Sequence, residues 1–300
     1  MWNVTESLDV SRVKMAPNWE EASHRMTVRR FKDGKIETMV KVIRPMQEGA
    51  MIEVGRNGYT ARYKADEEPT IQELEEKRLS NRARAVRRAR QAVRFAVKAI
   101  GADHLLTLTY RENMTCNERL KADWDRFRRY VKKGLPACGH HKAHPGLKQW
   151  KFVACREQQD RGAWHLHVAV VGRQDIAFLR RCWYAAIGGQ QDDTGDHTKG
   201  AVNVRGPSKR WGVPTAEWKC EKLAGYMTKY LYKSFEELGD NEKRYWAART
   251  NDKPEVFKIW LAASSFVDAI TMCHDFCRDN GVETMNLWAS DSWEVVWCSG

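Results

Sequence analysis

The stretch Trp164-His165-Leu166-His167-Val168-Ala169-Val170-Val171-Gly172 decides the fold. It reads as a strand, on which residues i and i+2 share a face. His165 and His167 then project side by side. Trp164, Leu166 and Val168 turn the other way, into apolar packing. Two imidazoles fixed on a rigid strand make half of a metal site. The plainer alternative is two unrelated polar positions on a half-buried strand.

The residues just upstream extend the pattern. Lys151 to Glu157 reads as a second strand, and Asp160-Arg161-Gly162 as the turn between the two. A turn centred near Arg161 sets Glu157 across from His165. The site would then hold two imidazoles and one carboxylate, with positions left for water and substrate. Such a mixed set suits Mg²⁺ or Mn²⁺. Alternatively, Glu157 is a surface carboxylate paired with Arg156 or Arg161.

Further outward, strands and helices follow one another. His104 to Tyr110 alternates Leu106, Leu108 and Tyr110 with Thr107 and Thr109, the period of a strand. Cys116 to Lys133 is a basic amphipathic helix with Trp124, Phe127, Tyr130 and Val131 on its apolar side, ended by Gly134 and Pro136. Asp175 to Ile187 reads as helix, Gly188 to Gly200 as loop, and Ala201 to Val204 as strand. Thr215 to Leu238 is a long helix, and helix is expected again over Val256 to Asp279. Near the start, Met26 to Val28 and Ile36 to Val40 flank Asp33-Gly34, a hairpin signal. Met51 to Val54, Asn57-Gly58 and Tyr59 to Tyr63 suggest another hairpin, followed by an acidic stretch from Asp66 to Pro69. The expected fold is α+β: a central antiparallel sheet carrying the His pair, flanked by helices. The expected organisation is a β-rich element over 1–69, a core domain over 70–240, and a helical, acidic, Trp-rich segment over 241–300.

Charge points to a polyanionic partner. The chain has 300 residues, 51 Lys and Arg against 39 Asp and Glu, and a net charge of +12. The excess is local. Thr70 to Ile100 reads as a helix without Gly or Pro, and from Lys77 to Lys98 it carries nine cations and no acid: Lys77, Arg78, Arg82, Arg84, Arg87, Arg88, Arg90, Arg94 and Lys98. A solvated helix normally mixes signs, because like charges at i,i+4 repel. A one-sign face favours a phosphate backbone. The last fifty residues are the reverse, with eight acids and three bases.

Other classes recede. No run reaches the roughly 18 apolar residues of a membrane span. The first residues do not read as a secretory signal, so a cytoplasmic location, in a bacterial host, is expected and no membrane partner. The eight cysteines are irregularly spaced and expected to be reduced. Cys138-Gly-His140-His141-Lys-Ala-His144 reads as a polar loop. Cys273-His274-Asp-Phe-Cys277 reads as a helix with two half-buried thiols, although both clusters resemble half of a zinc site.

One further signal is Gly225-Tyr226-Met227-Thr228-Lys229-Tyr230-Leu231-Tyr232-Lys233. On a helix, Tyr226 and Tyr230 share a face and Lys229 lies between them. A phenol with its usual pKa of about 10 is a weak nucleophile. A neighbouring cation would make it usable. Taken by itself, the segment is equally an amphipathic helix with aromatic packing.

In order, the signals are Leu106-Thr107-Leu108-Thr109-Tyr110, then His165-Leu166-His167, then Tyr226-x-x-Lys229-Tyr230. This order resembles the HUH endonuclease superfamily, where U is a hydrophobic residue, and within it the two-tyrosine rolling-circle replication initiators of phages and plasmids. The resemblance spans about residues 80 to 240. It implies that His165 and His167 are metal ligands and Glu157 an acidic third. It implies that Tyr226 and Tyr230 are paired nucleophiles accompanied by Lys229. The implied cofactor is Mg²⁺ or Mn²⁺, and the implied partner is single-stranded DNA at a replication origin, held by Arg82, Arg84, Arg87, Arg88, Arg90 and Arg94. No third His follows His167 closely, unlike the conjugative relaxases. No Gly-x-x-x-x-Gly-Lys-Ser/Thr loop occurs, so unwinding would fall to a host helicase and replication machinery. A two-tyrosine transposase, a non-catalytic DNA-binding protein and a zinc-stabilised structural protein are the competing expectations.

Overall fold

The structure is a computed structural model that describes residues 8–43, 51–55, 58–62, 70–188, 199–207, 220–237, 242–282, 286–290 and 295–299, with backbone alone at 51–55, 58–62, 230 and 232–237. The expected acidic stretch 66–69, most of the loop 188–200 and the start of the helix expected from Thr215 lie outside the described residues. The rest forms two compact units, residues 77–253 and residues 1–76 with 254–300. Both are α+β, each built on a five-stranded antiparallel sheet.

The larger unit carries the His pair. Its strands are β5 (His104–Tyr110), β6 (Phe152–Gln158), β7 (Trp164–Val170), β8 (Gly200–Arg205) and β9 (Tyr245–Ala247), in the order β8-β5-β7-β6-β9. β7 is central, and every one of its side chains is buried. Its even residues, Trp164, Leu166, Val168 and Val170, join a core with α2 (Asn117–Lys133) and α3 (Ile176–Ile187). Along α2 the buried positions are Leu120, Trp124, Phe127 and Val131, the spacing of one helical face. The odd face packs differently. Leu105, Val153, Cys155 and Ala169 meet Val93, Val97 and Ile100 of α1 (Ile71–Ile100) and Leu223, Ala224, Met227 and Leu231 of α4 (Cys220–Glu237). A sheet covered on both faces keeps its central strand apolar except where a polar group has a partner or a use. His165 and His167 are the two exceptions on β7.

The β6–β7 turn sets the register. Gly162 has φ of 83°, a conformation that costs glycine little and other residues more. The Gly162 amide donates to Gln159 (2.7 Å) and the Gln159 amide to Ala163 (2.9 Å). With the turn closed there, Glu157 pairs with His165, and Cys155 with His167. A slip of one residue would turn both histidines into the apolar core.

The smaller unit joins the two ends of the chain. Its strands are β1 (His24–Arg30), β2 (Ile36–Val42), β10 (Glu255–Leu261), β11 (Asn286–Ala289) and β12 (Val295–Ser299), in the order β10-β1-β2-β12-β11. The expected hairpin around Asp33-Gly34 is β1–β2. β3 (Met51–Gly55) and β4 (Gly58–Arg62) pair with each other, as their turn signal suggests. Residues 1–69 and 241–300, read as separate segments, thus both contribute strands to one sheet. The continuous helix expected over Val256 to Asp279 is corrected: β10 comes first, pairs along β1 from His24↔Leu261 to Arg30↔Glu255, and only then does α5 (Phe266–Asp279) begin. Val256, Phe257, Ile259 and Trp260 are β-branched or aromatic and suit the pleated sheet. Ser265 caps the real helix start by accepting from the Asp268 amide at 3.1 Å.

Candidate active site

The odd face of the larger sheet gathers the polar residues. Thr107 pairs with His167 across β5–β7 and with Asn203 across β5–β8, so these side chains share one face with His165 and Glu157. His167 is held from both sides. Its Nε2 lies 2.8 Å from Oε2 of Glu157, and its Nδ1 lies 3.4 Å from Oγ1 of Thr107. A carboxylate only accepts, so Nε2 carries the proton and donates to Glu157, leaving Nδ1 to accept from the Thr107 hydroxyl.

His165 sits alongside in a different state. It is 9% exposed, and its Nε2 is a buried nitrogen with no hydrogen-bond partner. Burial first, and then His167, hold its pKa below the ordinary imidazole value, against the opposing pull of Glu157. The neutral ring that results is the form that binds a metal. An unpartnered buried nitrogen costs free energy unless something meets it. The residues therefore fit a divalent cation: His165 offers a bare lone pair, and the proton shared by His167 and Glu157 marks a place where a cation would replace it.

The tyrosine helix lies over this face. Leu223, Met227 and Leu231 of α4 form its buried stripe. Tyr226 precedes Met227 by one residue and so borders that stripe. Its ring stands 6.2 Å from the His167 ring, centroid to centroid, at 87°. Tyr226 is 39% exposed, which leaves it open to a substrate. Lys229 is exposed, one turn on. Tyr230 has its backbone in α4, but its side chain lies outside the described residues. The start of α4 is anchored by an ion pair between Glu221 and the buried Lys98 of α1. Lys98, counted among the cations of the basic helix, is thus corrected to an internal anchor. Of the other cations, Arg84, Arg87, Arg88 and Arg90 are distributed over the outer part of α1, Arg84 and Arg90 included in its charged face, while Arg82 and Arg94 stand on the same helix.

The opposite face of the hairpin supports the site. Arg156 is fully buried, bonds Asn117, and donates to Glu242 at 3.0 Å. Its guanidinium lies 5.6 Å from the Trp164 ring centroid and 5.9 Å from that of Trp246. Hydrogen bonds from Lys121 and Arg156 hold the Glu242 carboxyl at about 2. Arg156 therefore does not pair with Glu157, as the alternative reading had it. Sequence reasoning also missed a second cationic surface. A groove of about 810 Å³ is lined by Arg128, Lys132, Lys148, Lys151, Lys243 and Arg249 beside Trp150. These residues come from segments far apart in sequence, so no local charge run announces them.

The geometry defines an antiparallel sheet with a His–His–carboxylate face beneath a tyrosine helix. Residues 103–235 match the family model of the replication-associated protein ORF2. That match runs from β5 almost to the end of α4, takes in Thr107, Glu157, His165, His167, Tyr226, Lys229 and Tyr230, and supports a replication initiator protein. No curated protein and no solved structure matches the chain significantly. Among the described residues, no helix is long and apolar enough to cross a membrane.

Proposed function

We propose that the chain nicks and rejoins single-stranded DNA at a replication origin through a 5′-phosphotyrosyl intermediate. The observation that carries this reading is the meeting of Tyr226 with His167, itself bonded to Glu157, on one sheet face inside the replication-associated segment. His165, His167 and Glu157 would hold Mg²⁺ or Mn²⁺. When bound, that cation would neutralise charge developing on the scissile phosphate.

The chain's own residues do the rest. The Tyr226 hydroxyl attacks phosphorus in line. Its oxygen–phosphorus bond forms as the bond from phosphorus to the 3′ oxygen breaks, and the phenolic proton is finally replaced by protonation of the departing 3′ oxygen. The products are a 5′-phosphotyrosine and a free 3′-hydroxyl, able to prime synthesis. The phosphodiester is exchanged rather than hydrolysed, so rejoining needs no nucleotide. Tyr230, four residues on, provides the second nucleophile for closing the circle. Lys229, between them, favours the phenolate and orients the phosphate. Thr107 fixes the His167 ring. The arginines of α1 and the cationic groove bind DNA backbone, which is consistent with catalysis by positioning and charge.

The test is a single-stranded origin oligonucleotide incubated with protein and Mn²⁺ or Mg²⁺. A denaturation-resistant protein–DNA adduct is expected, lost in His165→Ala. If no origin strand yields an adduct, or if His165→Ala leaves it unchanged, the nuclease reading fails.

A further inference from the structure

The smaller unit contains a second cluster of metal-binding side chains, away from the sheet that carries the histidines. Cys273 and Cys277 are four residues apart on α5 and share a face. Cys298 lies on β12, cross-strand from Thr38 of β2. Among the described residues, these three cysteines are the one set of three or more His, Cys, Asp or Glu whose ligand atoms all lie within 4.8 Å of one another. Thr38 completes the group. Its Oγ1 is 2.9 Å from Sγ of Cys273 and 3.4 Å from Sγ of Cys277. All four residues are essentially sealed from solvent, at 1% exposure or less.

A lone buried cysteine behaves as a small hydrophobe and needs no further explanation. Three thiols from a helix and a strand converging on one point beside a hydroxyl are a different case. Zinc–sulfur bonds of about 2.3 Å in a tetrahedral site put the sulfurs roughly 3.8 Å apart, within the spread of this cluster. Hydrogen bonds from Cys273 and Cys298 also hold the Cys277 thiol well below its ordinary range. One member thus already favours the thiolate that a metal requires.

We propose that Cys273, Cys277 and Cys298 bind a thiophilic divalent cation, Zn²⁺ being the natural occupant, with the Thr38 hydroxyl oxygen facing the fourth position. The site is closed, so its role is structural. It clips α5 to the β2–β12 pair. β2 and β12 lie more than 250 residues apart in the chain, and cross-links closing long loops limit the unfolded state most. Metal binding would then be part of the folding free energy of this unit.

The test uses the full chain purified under reducing conditions from zinc-supplemented medium. Stoichiometric zinc is expected, with a fall in Tm on chelation. Co²⁺ exchange should produce near-ultraviolet sulfur-to-cobalt charge-transfer bands. Those bands should persist in His165→Ala/His167→Ala, which separates this site from the histidine face and keeps its fate independent of the nuclease reading. Cys298→Ser should lose the bands and the response to chelator. Absence of zinc together with absence of thiolate–cobalt bands in the wild-type chain would overturn the proposal. So would a Cys298 disulfide to either helix cysteine in protein alkylated at lysis. Both readouts on the unmutated protein stand even if Cys298→Ser does not fold.

Discussion

His167 and Glu157 touch at 2.8 Å although they are not partners in the β6–β7 ladder. Glu157 stands directly opposite His165 and reaches diagonally, past the nearer ring, to His167. Diagonal neighbours on antiparallel strands are within reach of long side chains. The reach leaves the His165 ring nitrogen bare and beside a negative charge. It is this asymmetry, one imidazole engaged and one not, that makes the face a cation site rather than a closed hydrogen-bond network.

Glu157→Gln keeps the shape and removes the charge. Loss of outer-shell partners alone costs about 10–100-fold in metal affinity, so a ligand substitution is expected to cost at least that much. Mn²⁺ titration followed by electron paramagnetic resonance measures it. Unchanged affinity would remove Glu157 from the ligand set.

Leu166 lies between the two histidines and points into the other core, fully buried. Leu166→Ala is expected to destabilise the larger unit by about 2–5 kcal/mol through lost burial and a residual cavity. Denaturant unfolding checks this. Under strongly native conditions the variant should still bind Mn²⁺, because no ligand is touched.

Acid should act through Glu242. Its carboxyl is held down to about 2 by Lys121 and Arg156, from an ordinary 4.5. A depressed folded-state pKa means the contribution is fully present above about 4.5 and is lost as pH falls toward about 2. Glu242→Gln is expected to lower Tm at neutral pH and to flatten the Tm profile over that acid window. Its partial exposure keeps the effect modest. A variant profile parallel to the wild type throughout would contradict the assignment.

Arg84, Arg87, Arg88 and Arg90 lie within two turns of α1. Each phosphate contact on a single strand contributes about 0.7 to the salt slope of binding. Replacing all four by Ala should therefore lower that slope by about 3 and weaken binding to unrelated sequences alike. Fluorescence anisotropy across a salt series reads both quantities.

The site was legible where its geometry is local. Period two and one glycine turn fix His165, His167 and Glu157 within fourteen consecutive residues, Glu157 to Val170. The spacing of Tyr226, Lys229 and Tyr230 follows from helix geometry alone. What was not legible depends on distant partners. Lys98 looked like one more cation until Glu221, in another helix, met it. The cationic groove draws on residues from Arg128 to Arg249. Val256 to Leu261 reads as the first turns of a helix because an apolar run carries no period of its own. Its pairing with β1, more than 220 residues earlier, makes it a strand. The Ser265 cap was the local sign of where helix begins. Cys298 likewise joins Cys273 and Cys277 only through the sheet.

The most direct measurement is the identity of the residue that carries the DNA. Protein would be reacted with single-stranded origin DNA and Mn²⁺, digested with nuclease and protease, and the nucleotide-bearing peptide sequenced by mass spectrometry. The account predicts a phosphotyrosyl nucleotide on the α4 peptide, at Tyr226 or Tyr230, and none in Tyr226→Phe/Tyr230→Phe. Attachment at any other residue, or an adduct that survives the double substitution, would contradict it.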